Sequence, residues 1–417
     1  MAKINIDFSK FKAVLGALRP FAAMLWPLVI VLAAALVFTT AILMGKSFRQ
    51  KVKRESIPLG NQVKTMMENP VPEARIVVER QYQDAYQQDA SLIEKLAIQS
   101  TQRELISYDI FPQPKDTSAL LFSDFSKKWR QKIEERIARI NGKDCPGEEE
   151  LNNLLQKSSN VTSARWNLMA LSSEHERLTE EFFAARAKSA SVYVNPAAIA
   201  GYAFWRDYAF QNVDKGVKDC WDWQIAYWIE EDVLATVGAM NAGSSSVFTS
   251  PVKRIMGIGF VAPDKLLPQT RGGFGAQAEA DVIQERPKPV IVPQDQITES
   301  CTTRISNEDV NVVHFSVIVV LDTRAILPFM KELCSVKPHV WKGYNGDENE
   351  RQFQHNQITI LESTVRPVQA DSSDHYKYRY GPDAVAEVRL ICEYIFYKKG
   401  YQPVNPEMVV KEPKPDE

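Results

Sequence analysis

Residues 311–321 read NVVHFSVIVVL. Val313, Phe315, Val317, Val319 and Leu321 face one way, and Val312, His314, Ser316, Ile318 and Val320 the other. Both faces are largely apolar, as expected of a central strand covered on both sides. Asp322 and Thr323 close it, and a short helix follows with Ile326, Met330 and Leu333 inward and Pro328 in its first turn. Gln357–Val365 and Val385–Phe396 form two more strands. In the second, Val388, Leu390, Cys392, Tyr394 and Phe396 alternate with an outward set that includes Glu387, Arg389 and Glu393. Upstream, a helix is expected from Cys220 to Met240, with Ile225, Ile229, Val233, Val237 and Met240 buried, then a strand from Val252 to Val261. The order is helix, strand, strand, helix, strand, strand. Two αββ units of this kind close a four-stranded antiparallel sheet with both helices on one face. The expected fold class is α+β, a circularly permuted ferredoxin-like αββαββ sandwich over residues 219–400. Residues 262–300, rich in proline and without periodicity, are expected as a flexible insertion. Residues 401–417 are expected as a disordered tail.

Phe21–Met44 reads FAAMLWPLVIVLAAALVFTTAILM, without a charge. As a helix it spans about 36 Å, enough for a hydrocarbon core of about 30 Å. Trp26 stands where an indole meets headgroups, and Pro27 removes a backbone bond only near that end. The run exceeds the h-region of a cleaved signal peptide, so a signal anchor crossing once is expected. Lys3, Lys10, Lys12 and Arg19 flank it on one side, and Lys46, Arg49, Lys51, Lys53 and Arg54 on the other. A positive-inside count alone leaves the orientation open, because long domains translocate largely regardless of flanking charge.

Residues 45–115 are expected as a stalk, in which Pro58, Pro70 and Pro72 limit helix length. From Glu73 to about Tyr108 the pattern is helical. Val78, Tyr82, Ala85, Asp89, Leu92 and Leu96 follow alternating four- and three-residue steps, a seam for a coiled coil or for a packed helical hairpin. Residues 116–218 are expected to be helical. Phe122, Phe125, Trp129, Ile133, Ile137 and Ile140 share one face of a helix that Asn141-Gly142 stops, and helices follow at Glu148–Lys157 and Ser172–Lys188. Ten aromatics crowd residues 192–228, from Tyr193 to Trp228. They are expected as core; the alternative is a platform that stacks on sugar rings.

No catalytic, cofactor-binding or metal-binding residues emerge. His175-Glu176 begins a zinc-protease motif, but Thr179 stands where the second histidine belongs. Gly243-Ser-Ser-Ser-Val247 lacks the closing glycine of a nucleophile elbow. Gly257-Ile-Gly259 and Arg271-Gly-Gly-Phe-Gly275 lack the rest of a phosphate-binding fingerprint. The five cysteines, Cys145, Cys220, Cys301, Cys334 and Cys392, have no metal spacing, and an odd number leaves at least one thiol free or paired between chains. Glu230-Glu231-Asp232 is expected as a solvent-facing arc. Over 417 residues, 50 Lys and Arg balance 52 Asp and Glu, which provides no field for nucleic acid. No cofactor, small-molecule substrate or nucleic-acid partner is expected, and the chain is read as a non-enzyme.

A basic N-terminus over residues 1–20, one membrane helix over 21–44, a coiled-coil stalk and a permuted ferredoxin-like domain occur together in one family. The chain resembles the inner-membrane assembly-platform proteins of type IV pili and type II secretion, of the PilO and GspM type. Phe111-Pro-Gln-Pro114 and the amphipathic helix Phe122–Ile140 are similar to the stalk-to-domain transition there. Ser250-Pro-Val-Lys-Arg-Ile255, Val312-Val-His-Phe315 and Tyr380-Gly-Pro382 resemble blocks of planctomycete and verrucomicrobial relatives. The resemblance implies an extracytoplasmic domain on a bacterial inner-membrane anchor. It also implies a structural role in which the chain pairs with itself or with a similar membrane-anchored protein. The alternative function is a membrane-anchored binder of cell-wall glycan.

Overall fold

The computed structural model describes residues 22–68, 73–161, 168–266 and 286–406. They fall into two compact units, Met1–Asp89 and Ala90–Glu417.

In the first unit, helix α1 (Ala22–Lys51) passes through one π-helical turn (Val52–Ser56) into α2 (Ile57–Glu68). Pro58 therefore does not end the helix. The Ile57 N–H reaches back five residues to the Val52 carbonyl, and this widened turn accommodates a proline that cannot donate. Within this run lies the one helix among the described residues long and apolar enough to cross a membrane, Ile30–Met67, with none of its apolar window buried. It is compatible with a membrane anchor or a signal sequence. Pro70 and Pro72 lie outside the described residues.

Helix α3 (Glu73–Thr101) carries the expected seam, and its residues are exposed through Leu96. It ends at Thr101 rather than near Tyr108. There the Thr101 hydroxyl bonds the Tyr397 carbonyl at 2.9 Å, and Gly400 packs so closely that a Cβ on it would overlap Thr101. The chain then turns away, with the Ile106 N–H donating to Gln224 at 2.8 Å.

The second unit is built on a six-stranded sheet. Its strands are β1 (Gly142–Lys143), β2 (Val192–Val194), β3 (Val252–Gly259), β4 (Val310–Asp322), β7 (Ile358–Pro367) and β8 (Val385–Tyr397), ordered β1-β2-β3-β4-β8-β7. The four long strands β3, β4, β8 and β7 are antiparallel neighbours. Two short strands, β1 and β2, extend that sheet in parallel with β3. The sequence suggested neither, because two or three residues carry no periodicity. β4 is central as expected, paired with β8 from Val310–Tyr397 to Asp322–Val385.

Helices α4 (Ala119–Arg139), α8 (Val213–Met240) and α10 (Ile326–Leu333) cover one face, and α5 (Glu148–Val161), α6 (Leu168–Ser189), α7 (Tyr202–Arg206), α9 (Pro263–Leu266) and α11 (Lys398–Tyr401) complete the helices. The main core joins Phe122, Phe125 and Trp129 of α4, Trp221, Trp223 and Trp228 of α8, Phe329 of α10 and the odd-numbered face of β4. The boundaries expected at 115/116 and 218/219 fall inside this one core. α8 begins seven residues before the expected start, where the Asn212 side chain accepts the Lys215 N–H. At its other end the Asn241 side chain ties the backbones of Ser191 and Val252, joining β2 and β3 to the helix. A smaller core of Tyr193, Met256, Ile318, Val320 and Tyr380 covers the reverse face.

The polar side of β8 is not open to solvent. Glu387 and Glu393 are buried, under segments that include Arg304 and the 370s loop around His375. Residues 286–300, part of the segment expected to be flexible, run beside β4: the Val290 N–H donates to the Val312 carbonyl at 2.8 Å, and Val290 is buried. Residues 267–285 lie outside the described residues. A second two-stranded sheet, β5 (Lys337–Trp341) with β6 (Arg351–His355), was also not expected. Tyr401 and Val404 are buried, so the tail begins later than expected; residues 407–417 lie outside the described residues.

Trp228 is buried, edge-on to Trp221 and tilted against Phe396, and its indole N–H bonds the Glu104 carbonyl at 3.0 Å. Trp228→Ala is expected to destabilise the 90–417 unit by about 3–5 kcal/mol, measured by denaturant unfolding. A change under about 1 kcal/mol would contradict this packing.

Candidate functional site

Five residues after the half-buried Ile98, Arg103 swings under α8. Its guanidinium grips Asp232 with two bonds, Nη1 to Oδ2 at 2.8 Å and Nη2 to Oδ1 at 3.0 Å. Nη2 also donates to Glu231 Oε2 at 2.7 Å, and Nη1 to the Tyr394 hydroxyl at 2.8 Å. Tyr394 in turn donates to Asp232 Oδ2 at 2.7 Å, and His355 Nε2 lies 3.2 Å from the same oxygen. The side chains of Arg103 and Asp232 are only 2% and 3% exposed. A charge so placed is tolerable only when paired and hydrogen-bonded. α3 delivers Arg103, α8 Asp232, β6 His355 and β8 Tyr394.

Burial disfavours the charged Asp232 carboxylate, but Arg103 and then His355 outweigh it and hold the group well below the usual carboxylate range. Burial likewise opposes the charged Arg103, and the Asp232 carboxylate more than offsets it. Arg136 of α4 pairs with the outer oxygen of Glu231. The Glu230–Asp232 run is therefore not a solvent-facing arc. Glu230 is wholly buried with neither carboxyl oxygen bonded, and burial raises its pKa well above the usual range.

A cleft of about 640 Å³ runs beside the knot, walled by α4, α8 and the 332–342 segment. Lys132, Arg136, Arg139, Glu135 and Glu332 on its walls leave it mixed in charge. His339 lines it as well, with Nε2 3.2 Å from the Gln99 carbonyl and its ring 5.2 Å from His355. Lys337 donates to the Glu332 and Leu333 carbonyls, closing the C-terminal end of α10. Both Asp232 oxygens and both Arg103 terminal nitrogens are engaged within the protein. The arrangement fastens four elements together; it offers no free base at Asp232.

No family model matches the chain, and no curated protein matches it. A crystal structure from Akkermansia muciniphila is similar at 7% identity and a TM-score of 0.27, over 77% of this chain and 86% of that one. A likeness of that size carries no argument.

The motifs weighed in the sequence lie apart from the knot. His175 is half-buried and Glu176 exposed on α6. Ser246 caps the turn after α8, donating to the Ala187 carbonyl. Gly257 and Gly259 give room to Leu266, whose methyls would stand 2.9 and 2.5 Å from added Cβ atoms. Arg271–Gly275 lies outside the described residues. All five cysteines are unpaired, and Cys301 is exposed. Among the described residues no three His, Cys, Asp or Glu are placed to hold a metal ion. Six of the ten aromatics of 192–228 are buried, Tyr193, Trp205, Trp221, Trp223, Tyr227 and Trp228. The sequence did hold a signal for the knot: three acids on a helix whose neighbours Trp228, Ile229, Val233 and Leu234 are all apolar cannot all face water.

Burial, then the Arg103 charge, pushes His339 down to about 3. A histidine lowered from its free value of about 6.5 stays neutral in the fold while the unfolded chain takes up the proton. Its contribution to stability therefore falls as pH drops from about 6.5 towards 3. Relative to His339→Leu, the wild-type unit is expected to lose up to about 1.4 kcal/mol per pH unit in that window, read from unfolding curves at stepped pH. A difference that is flat with pH would contradict the burial of His339.

Proposed function

We propose that the chain is a non-enzymatic, membrane-anchored structural component of an assembly platform of the PilO and GspM type. It pairs with itself or with a similar anchored protein and links the two sides of the inner membrane, with residues 45–417 outside the cytoplasm. One observation carries this reading: α3 exposes an apolar seam along its length. Val78, Tyr82, Leu92 and Leu96 are each 45–59% exposed, and Asp89 lies on the same line. Exposed apolar residues repeating at heptad spacing favour a helical partner.

The strand order supports the reading further. A permuted ferredoxin-like αββαββ sandwich requires its first, second, fourth and third strands side by side and antiparallel. β3, β4, β8 and β7 follow that order, with α8 and α10 packed on one face. The additional strands β1 and β2 extend this plan at one edge. A seam of two to three heptads is marginal alone. Two copies held in one bilayer meet at high effective concentration, so weak contacts add up.

Full-length protein cross-linked in cells by a membrane-impermeant reagent, after opening the outer envelope, is expected to run as a dimer or a defined heteromer. Lys at both Val78 and Leu92 is expected to abolish the product while the 90–417 unit keeps its unfolding midpoint. Product formed only with a permeant reagent would overturn the sidedness. A monomer with both reagents would overturn the assembly reading.

A further inference from the structure

The sheet ends at β7, whose outer edge over Glu362–Pro367 carries no neighbouring strand and no backbone hydrogen bond to another segment among the described residues. An exposed strand edge is a template for another strand unless it is blunted. β7 has a bulge between Ile360 and Glu362, after which Glu362–Pro367 runs in regular register with Ile391–Ala386 of β8. The regular stretch reads Glu362-Ser-Thr-Val-Arg366, closed by Pro367.

We propose that this stretch is a self-pairing strand: Glu362–Arg366 of two copies run antiparallel about a two-fold axis at Thr364. This rests on the self-association reading above and assigns it a second contact.

The occupant is read from charge and register. Antiparallel pairing centred on Thr364 sets Glu362 opposite Arg366 of the second copy, and Arg366 opposite its Glu362. Thr364 meets its own equivalent between them. Residues 362, 364 and 366 share one face, because side chains alternate. On that face Thr364 neighbours Arg389 and Arg366 neighbours Glu387, and Glu362 accepts from Thr298 at 2.6 Å. Arg366 is free to reach across: its contact with Asp264 is long, 3.4 Å, and both side chains are largely exposed. On the other face Val365, 53% exposed, would lie against Ser363 of the second copy. Opposite charges and Thr–Thr pairs directly across strands are favourable, and like charges are not.

The ends are also defined. In this register the bulge residue Leu361 stands opposite Pro367 of the second copy. A bulged residue leaves the ladder and proline cannot donate to it. Pairing therefore stops after five residues on each side, about 17 Å, and the sheet continues through the dimer without further growth at that edge. So short a ladder needs the shared bilayer to hold it together.

The test uses the full-length chain in liposomes, with exposed Cys301 changed to Ser. Thr364→Cys is expected to form a disulfide dimer on oxidation, because directly opposed strand residues have Cα atoms about 4.5–5.5 Å apart. Arg366→Cys is expected to stay uncross-linked, since its thiols would lie about 13 Å apart. With the Thr364→Cys reporter, Glu362→Arg sets like charges against each other twice and is expected to lower the dimer fraction about tenfold. Adding Arg366→Glu exchanges both charges and is expected to restore it. Ala85→Cys on the α3 seam serves as the second reporter. Cross-linking at 85 with none at 364, or indifference to Glu362→Arg, overturns the strand pairing and leaves self-association standing. No cross-link at either position overturns both.

Discussion

Arg103 is a full positive charge with almost no access to water, and the second unit is arranged to keep it paired. The guanidinium lies two residues past the end of α3 and meets Asp232 in the C-terminal part of α8, with Tyr394 from near the end of β8 and His355 from β6 around it. Such a pair is not evidence of net stabilisation, since desolvating both ions costs as much as their attraction returns. Its effect is geometric. Removing either member leaves a buried charge alone, which costs about 3–5 kcal/mol. Alternative placements of four elements that separate the pair are therefore disfavoured together. The end of α3, the rotation of α8 and the docking of the β5–β6 hairpin follow from one contact.

Much of the sheet layer was legible because its signals are local. The two apolar faces of 311–321 predicted a central strand, and β4 is buried along nearly all of its length. The stripe from Phe122 to Ile137 predicted α4, and Asn141 adopts a positive φ of 49° where the helix was expected to stop. Of the site, only the acids of α8 were legible, as three carboxylates on a helix with apolar neighbours. Their partners come from positions 103, 355 and 394, and nothing local to those segments marks them as part of a set. Glu387 and Glu393 misled for the same reason: alternation showed which way they point, but not that Arg304 and His375, from distant connections, cover them. The β5–β6 hairpin escaped because its strands are five residues each with no clean alternation, and β1 and β2 are shorter still.

Where the chain offers surface to others follows a similar division. In the second unit the knot of Arg103, Glu231, Asp232, His355 and Tyr394 is closed by its own members. Among the described residues, two surfaces stand open to a partner, the apolar line on α3 and the bare edge of β7. One is a helical surface and the other a strand edge, and both are short. Contacts of this size are weak between free molecules and become effective when an anchor confines the partners. That is the physical reason for reading the apolar N-terminal helix and the two surfaces as parts of one device.

Native-state hydrogen exchange on Arg103→Met in the 90–417 unit tests most directly whether the buried pair fastens these elements. Amides of residues 99–106 and of the β5–β6 hairpin are expected to exchange at least about a hundredfold faster than in the wild type. Those of β4 and β8 should follow only the change in global stability. Wild-type protection in the hairpin and the 99–106 segment, or an even loss across the whole sheet, would contradict the account.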